Sequence, residues 1–185
     1  MKKYKLLSVI VIICVMTAQG QKPFKLKSSK VTIDGTSSMH EWTSEVTKLE
    51  WTGNITTEGG AVKEIKDVVV KIPVVSIKST KGKTMDNKTY EAFKSDKNPT
   101  ITYQLSGVVV KGTALQATGS LTMAGAAKTI SMTVSAKVLA NGDVQLTGSQ
   151  KLNMKDFKMS PPTAVMGTIK VGEEVTVKYD LVLSP

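Results

Sequence analysis

The stretch LQATGSLTMAGAAKTISMTVSAKV, residues 115–138, alternates with a period of two on both sides of a tight turn. Leu115, Ala117, Gly119, Leu121 and Met123 share one face, and Gln116, Thr118, Ser120 and Thr122 share the other. After Ala124-Gly125 the pattern resumes. Ile130, Met132, Val134, Ala136 and Val138 stand opposite Thr129, Ser131, Thr133, Ser135 and Lys137. Side chains of a strand point alternately to its two faces, so this period identifies a β-hairpin with one apolar and one hydroxyl-rich face.

The same rhythm extends in both directions. Val31, Ile33, Gly35, Ser37 and Met39 alternate with Thr32, Asp34, Thr36 and Ser38. Val68 to Val74, Ile101 to Leu105 and Val175 to Leu183 repeat it, and Trp42 to Ile55 and Val144 to Leu152 follow it less cleanly. Turn residues punctuate these runs at Glu58-Gly59-Gly60, Lys111-Gly112, Ala124-Gly125 and Asn141-Gly142-Asp143. About eight strands joined by short turns make an all-β meander, which closes as a barrel or folds over as a sandwich. Pro73 lacks an amide hydrogen and belongs at an edge or a bulge. Residues 84–95 break the rhythm. Met85, Thr89, Ala92 and Phe93 fall on one helical face behind a cap at Thr84, and Asn98-Pro99 ends the segment. One short amphipathic helix is thereby placed to plug a barrel end.

Lys2, Lys3 and Lys5 precede an apolar run from Leu6 to Ala18, and Ala18-Gln19-Gly20 supplies small residues for signal peptidase. Residues 1–20 therefore read as an export signal, with residues 21–185 as one domain that is periplasmic or secreted. The run is shorter than the roughly 20 residues of a membrane span, and no second apolar run follows. Cys14, preceded by Ile13 where a lipidated cysteine takes a small residue, is the only cysteine and leaves with the signal. The exported domain then has no disulfide, thiolate nucleophile or Cys-based metal site. Of 25 basic residues, all lysine, the signal takes three, leaving 22 against 15 acidic residues. Without arginine the chain lacks the bidentate fork used to read bases and clamp phosphates, so nucleic acid is not an expected partner. The scattered lysines suit a solvated surface, with weak contact to an anionic envelope surface as the lesser reading.

Motifs for chemistry are sparse. His40 is the only histidine. Beside Glu41 and Trp42 it reads as a hydrogen-bonded structural residue. Gly35-Thr36-Ser37-Ser38-Met39 lacks the final glycine of a nucleophile elbow. Gly82-Lys83-Thr84 lacks the upstream glycine of a phosphate loop, since position 77 is Ile77. Glu173 and Glu174 are adjacent in a strand and point to opposite faces, which does not suit a pair of catalytic carboxylates. No catalytic residue, metal site or cofactor is expected. The inner face is almost uncharged and carries small residues at Gly35, Gly107, Ala117, Gly119, Ala136 and Gly148. Two readings fit that face: a filled core whose glycines relieve strand curvature, or a hollow barrel holding an apolar ligand.

Five segments in order carry a resemblance: Gly35-Thr36-Ser37-Ser38-Met39-His40-Glu41-Trp42; Tyr90 to Ser95 continuing through Pro99 to Tyr103; Thr118 to Gly125; Asn153 to Phe157; and Val171-Gly172-Glu173-Glu174-Val175. Over residues 22–184 the chain resembles the YceI-like proteins, exported barrels that bind lipids and polyisoprenoids. The resemblance implies a lipocalin-like antiparallel barrel with an apolar interior, and a lipid or isoprenoid as its partner. Many relatives have Arg where this chain has Met154 and Asp where it has Ser120. If a head group leans on that Arg, a less anionic or different ligand is implied. Family contacts are spread over the barrel, so candidate ligand-binding positions are inward-facing ones read from alternation only: Ile33, Met39, Trp42, Val70, Phe93, Tyr103, Leu121, Met132, Val134 and Val177. The expected function is sequestering or carrying an apolar molecule. The alternative is a structural or interaction module of the cell envelope, its barrel filled and its surface the working part.

Overall fold

The computed structural model describes residues 22–164 and 168–185; the expected export signal over residues 1–20 and Met166 lie outside them. The strands are β1 (Lys22–Ser37), β2 (Glu41–Val46), β3 (Glu50–Glu58), β4 (Ala61–Pro73), β5 (Ile77–Ser79), β6 (Thr100–Lys111), β7 (Ala114–Met123), β8 (Ala126–Val138), β9 (Val144–Asn153), β10 (Thr163–Ala164) and β11 (Ile169–Ser184). One α-helix, α1 (Lys83–Phe93), lies between β5 and β6. Pairing runs β1-β3-β4-β6-β7-β8-β9-β11 and returns to β1, every neighbour antiparallel, so eight strands close a barrel.

Two staves of the barrel are broken. The first half of β1 pairs with β3 and the second half with β2, so the expected strand from Trp42 to Ile55 is two strands on one line. At the break, Thr47 donates from its amide (2.9 Å) and its hydroxyl (3.0 Å) to the Ser76 carbonyl. Ser76 in turn donates to the Pro73 carbonyl at 2.7 Å. That knot holds the matching break between β4 and β5. Pro73 closes β4 as its last residue, where the missing amide hydrogen does least harm.

Hairpin turns fall where the turn residues are. Gly59 and Gly60 take φ of 58° and 73°, left-handed values that glycine adopts without steric penalty. The expected strand through Met39 stops at Ser37 instead. The Ser37 hydroxyl donates to the His40 carbonyl (2.8 Å) and accepts from the His40 amide (3.2 Å), which folds residues 37–40 into a turn. Met39 is thrown outward, 69 % exposed, and is not an inward residue.

Helix α1 starts one residue before the expectation. Gly82 is its N-cap, with no side-chain cap bond, so Thr84 is not the cap. Its start is fixed by Asp86, which accepts from the Ser79 amide at 2.6 Å. Its end is a left-handed Lys94 (φ 51°) whose amide returns to Glu91, while that of Ser95 returns to Tyr90.

Candidate functional site

The barrel is packed at one end and hollow at the other. Phe24, Trp51, Ile55, Val62, Ile65, Leu115, Ala136, Val144 and Leu183 fill the end away from α1. At the α1 end lies a cavity of about 460 Å³. Ile72, Ile101, Ile130, Leu152 and Val175 contribute its aliphatic wall, and Met85, Thr89, Ala92 and Phe93 of α1 cover it. These four are the helical face read from the sequence. The rim is made by His40 of the β1–β2 turn, Lys81, Lys88, and Pro162 and Thr163.

Of the positions expected to face inward, Ile33, Trp42, Phe93, Leu121 and Val177 line this cavity. Trp42 owes its place to a glycine. Its indole lies against Gly35, where any Cβ would collide with the ring, and its Nε1 donates to the Thr36 carbonyl at 3.0 Å. Val70, Tyr103, Met132 and Val134 also point inward, but into the packed interior. Each of the first three stands two residues from a wall residue on the same strand face: Ile72, Ile101 and Ile130 respectively. Alternation identifies the face of a strand; it carries no information on depth along the barrel axis. Met39 contributes nothing to the wall.

The layer beneath the cavity is built from tyrosines laid over glycines. The Tyr103 ring crosses Gly119, whose added Cβ would stand 2.5 Å from the ring and from the Gln104 carbonyl oxygen. The Tyr179 ring lies against Gly148 in the same manner, its hydroxyl 3.6 Å from the Met132 sulfur. The Tyr103 hydroxyl is buried and has no hydrogen-bond partner among the described residues. Burial raises its pKa, and burial together with the Tyr103 phenol pushes Tyr179 up to about 12. Both hydroxyls are therefore neutral at any physiological pH, and the floor is uncharged.

Met154, singled out in the sequence only through the family resemblance, and Met159, not among the expected positions, line the cavity from the 3₁₀ turn Met154–Phe157 and the residues after it. No periodicity marks them, because the turn is irregular. Sequence reasoning also missed Lys81, Lys88 and Gln150 as lining residues. Lys88 extends the helical face already seen, which was the available signal; Lys81 lies in the turn before α1, where no periodicity marks it. Among the described residues, no cluster of three His, Cys, Asp or Glu side chains could hold a metal ion, and no helix is long and apolar enough to cross a membrane.

Comparison with known proteins agrees with this architecture. The model of the YceI-like domain matches residues 24–183. Among solved structures, the Burkholderia cenocepacia protein BcnA superposes with a TM-score of 0.67 at 18 % identity, covering 84 % of this chain and 96 % of its own. A polyisoprenoid binding domain from Saccharophagus degradans, implicated in plant cell wall breakdown, gives 0.64 at 13 % identity, covering 87 % and 97 %. The Campylobacter jejuni YceI protein gives 0.58 at 19 % identity, covering 100 % and 99 %. No curated protein sequence matches. With the family model spanning nearly the whole described barrel, the chain belongs to the YceI-like family.

Proposed function

We propose that this protein is an exported binding protein that sequesters or carries an apolar chain, a lipid or an isoprenoid, in the hollow half of its barrel. The observation that carries the reading is the cavity. Its volume of about 460 Å³ falls within the roughly 300–1,000 Å³ of small-molecule sites, and its wall is aliphatic and aromatic below a polar rim. Each buried methylene contributes about 0.8 kcal/mol, so a long chain gains useful affinity without any precisely placed polar contact. The likeness to a polyisoprenoid binding domain supports the same ligand class. Export is supported by the pattern of residues 1–20.

The test is direct. The processed protein is purified from its native source, extracted with organic solvent and analysed by mass spectrometry. A stoichiometric lipid or isoprenoid is expected, on a chain whose N-terminus is Gln21. A protein that yields no lipid and takes up no added isoprenoid overturns the carrier reading and leaves the surface as the working part.

A further inference from the structure

Resting on that reading of the cavity, we propose that the ligand bears an oxyanion head group, carboxylate or phosphate, held at the rim by Lys81 and Lys88, with its chain directed down into the barrel.

Charge is distributed one-sidedly around the cavity. Its lining residues include Lys81, Lys88 and His40, but no aspartate or glutamate. One lysine is placed by the helix and the other by the turn that leads into it. Lys88 stands one turn beyond Met85 on the face of α1 that covers the cavity, and Lys81 stands in the turn just before the Gly82 cap, so the two lysines flank that face. Long lysine stems can lie along that apolar face while their ammonium groups stay in water at its edge.

One acid of α1 is turned away from this cationic edge, and the other meets it only at the exposed surface. Asp86 is buried and turned to β5, accepting from the Ser79 amide at 2.6 Å and lying 3.6 Å from the Lys78 ammonium. Lys88 pairs with Glu91 at 3.2 Å, but both side chains are exposed, and such a pair is readily exchanged for a better anion. Deeper in, an ionised head group has no counter-charge. Met154 keeps the wall apolar there, and the neutral tyrosine floor offers none. An isolated charge in such surroundings is strongly disfavoured, whereas a methylene chain is favoured. The ligand therefore enters tail first and stops with its head beside α1.

The experiment compares three sixteen-carbon probes, palmitate, hexadecyl phosphate and hexadecanol, by calorimetry on the signal-free protein at pH 8 and low salt. Palmitate, hexadecyl phosphate or both are expected to bind roughly tenfold more tightly than hexadecanol, with the gap shrinking as salt is raised. Whichever oxyanion gains more identifies the head group. In K81Q/K88Q the ratio of anionic to neutral affinity should fall close to one. In K111Q/K137Q, which removes the same charge at the packed end, it should persist. Equal affinities for all three probes, or a ratio unchanged in K81Q/K88Q, overturn the head-group site while leaving the carrier reading intact. Failure of every probe to bind overturns the head-group site, and failure of an added isoprenoid alcohol as well overturns the carrier reading itself.

Discussion

At Tyr103 a phenol hydroxyl is enclosed by the barrel and meets no partner among the described residues. Leaving a buried hydroxyl unsatisfied costs about 1–3 kcal/mol, so Tyr103→Phe, which keeps the ring over Gly119, should hold or raise stability. Urea denaturation reads this; a loss above about 1 kcal/mol would show that the hydroxyl has a partner after all. Tyr179 makes the complementary prediction through pH. Its pKa is raised in the folded protein to about 12 from an unfolded value near 10. The folded state then binds the more protons above pH 10, so stability present below pH 10 falls as pH rises towards and through 12. Following the phenolate absorbance and the unfolding midpoint together should show a late-titrating tyrosine, and Tyr179→Phe should remove it. That Tyr103 and Tyr179 face inward was legible in the alternation. Their role as a floor was not, because it depends on Gly119 and Gly148 vacating the space beneath their rings.

Among the elements, α1 has the least support of its own. Eleven residues make a marginal helix in isolation, so tertiary contacts must hold it over the cavity. Three are polar. Asp86 accepts from the Ser79 amide, the Tyr90 hydroxyl donates to the Val75 carbonyl at 3.0 Å, and the Lys78 ammonium donates to that hydroxyl at 2.6 Å. Hydrogen bonds to a charged group contribute about 1.5–3 kcal/mol. Asp86→Ala should therefore lower stability by about 2 kcal/mol and speed hydrogen exchange of the α1 amides before those of β7 and β8. Uniform acceleration across the barrel would instead mean that α1 unfolds only with the whole. The helix was legible from the spacing of Met85, Thr89, Ala92 and Phe93, a face that tertiary packing uses. Its N-terminus was not, since Thr84 offered a local cap and the fold used the bond from β5 to Asp86. Strand ends failed for a related reason. Register shifts between β3 and β4, at Thr52/Asn54 and again at Thr56/Thr57, reset which residues of β4 face inward. Val62, Ile65 and Val68 therefore share a face at a spacing that no period-two search detects.

On the scale of the whole molecule, the packed core and the cavity occupy opposite ends of one barrel. Leu115, fully buried in the packed end, should cost about 2–5 kcal/mol when cut to alanine, with palmitate affinity unchanged in the fraction still folded. Leu121→Trp should do the reverse. Its added ring enters the cavity rather than close-packed neighbours, so it should weaken palmitate binding at least about tenfold with little change in the urea midpoint. Equal effects of the two substitutions on binding would mean that the cavity and the core are not separate. By itself the sequence determined most of the strands and turns, the helix face and the apolar inner face, because each is written in local periodicity and in the backbone freedom of particular residues. Only the tertiary structure decided that the barrel is hollow at one end, and that Lys81 and Lys88 share the cavity's rim. Depth along a barrel is set by how strands far apart in the chain are staggered and by which rings cross which glycines, and neither leaves a periodic trace.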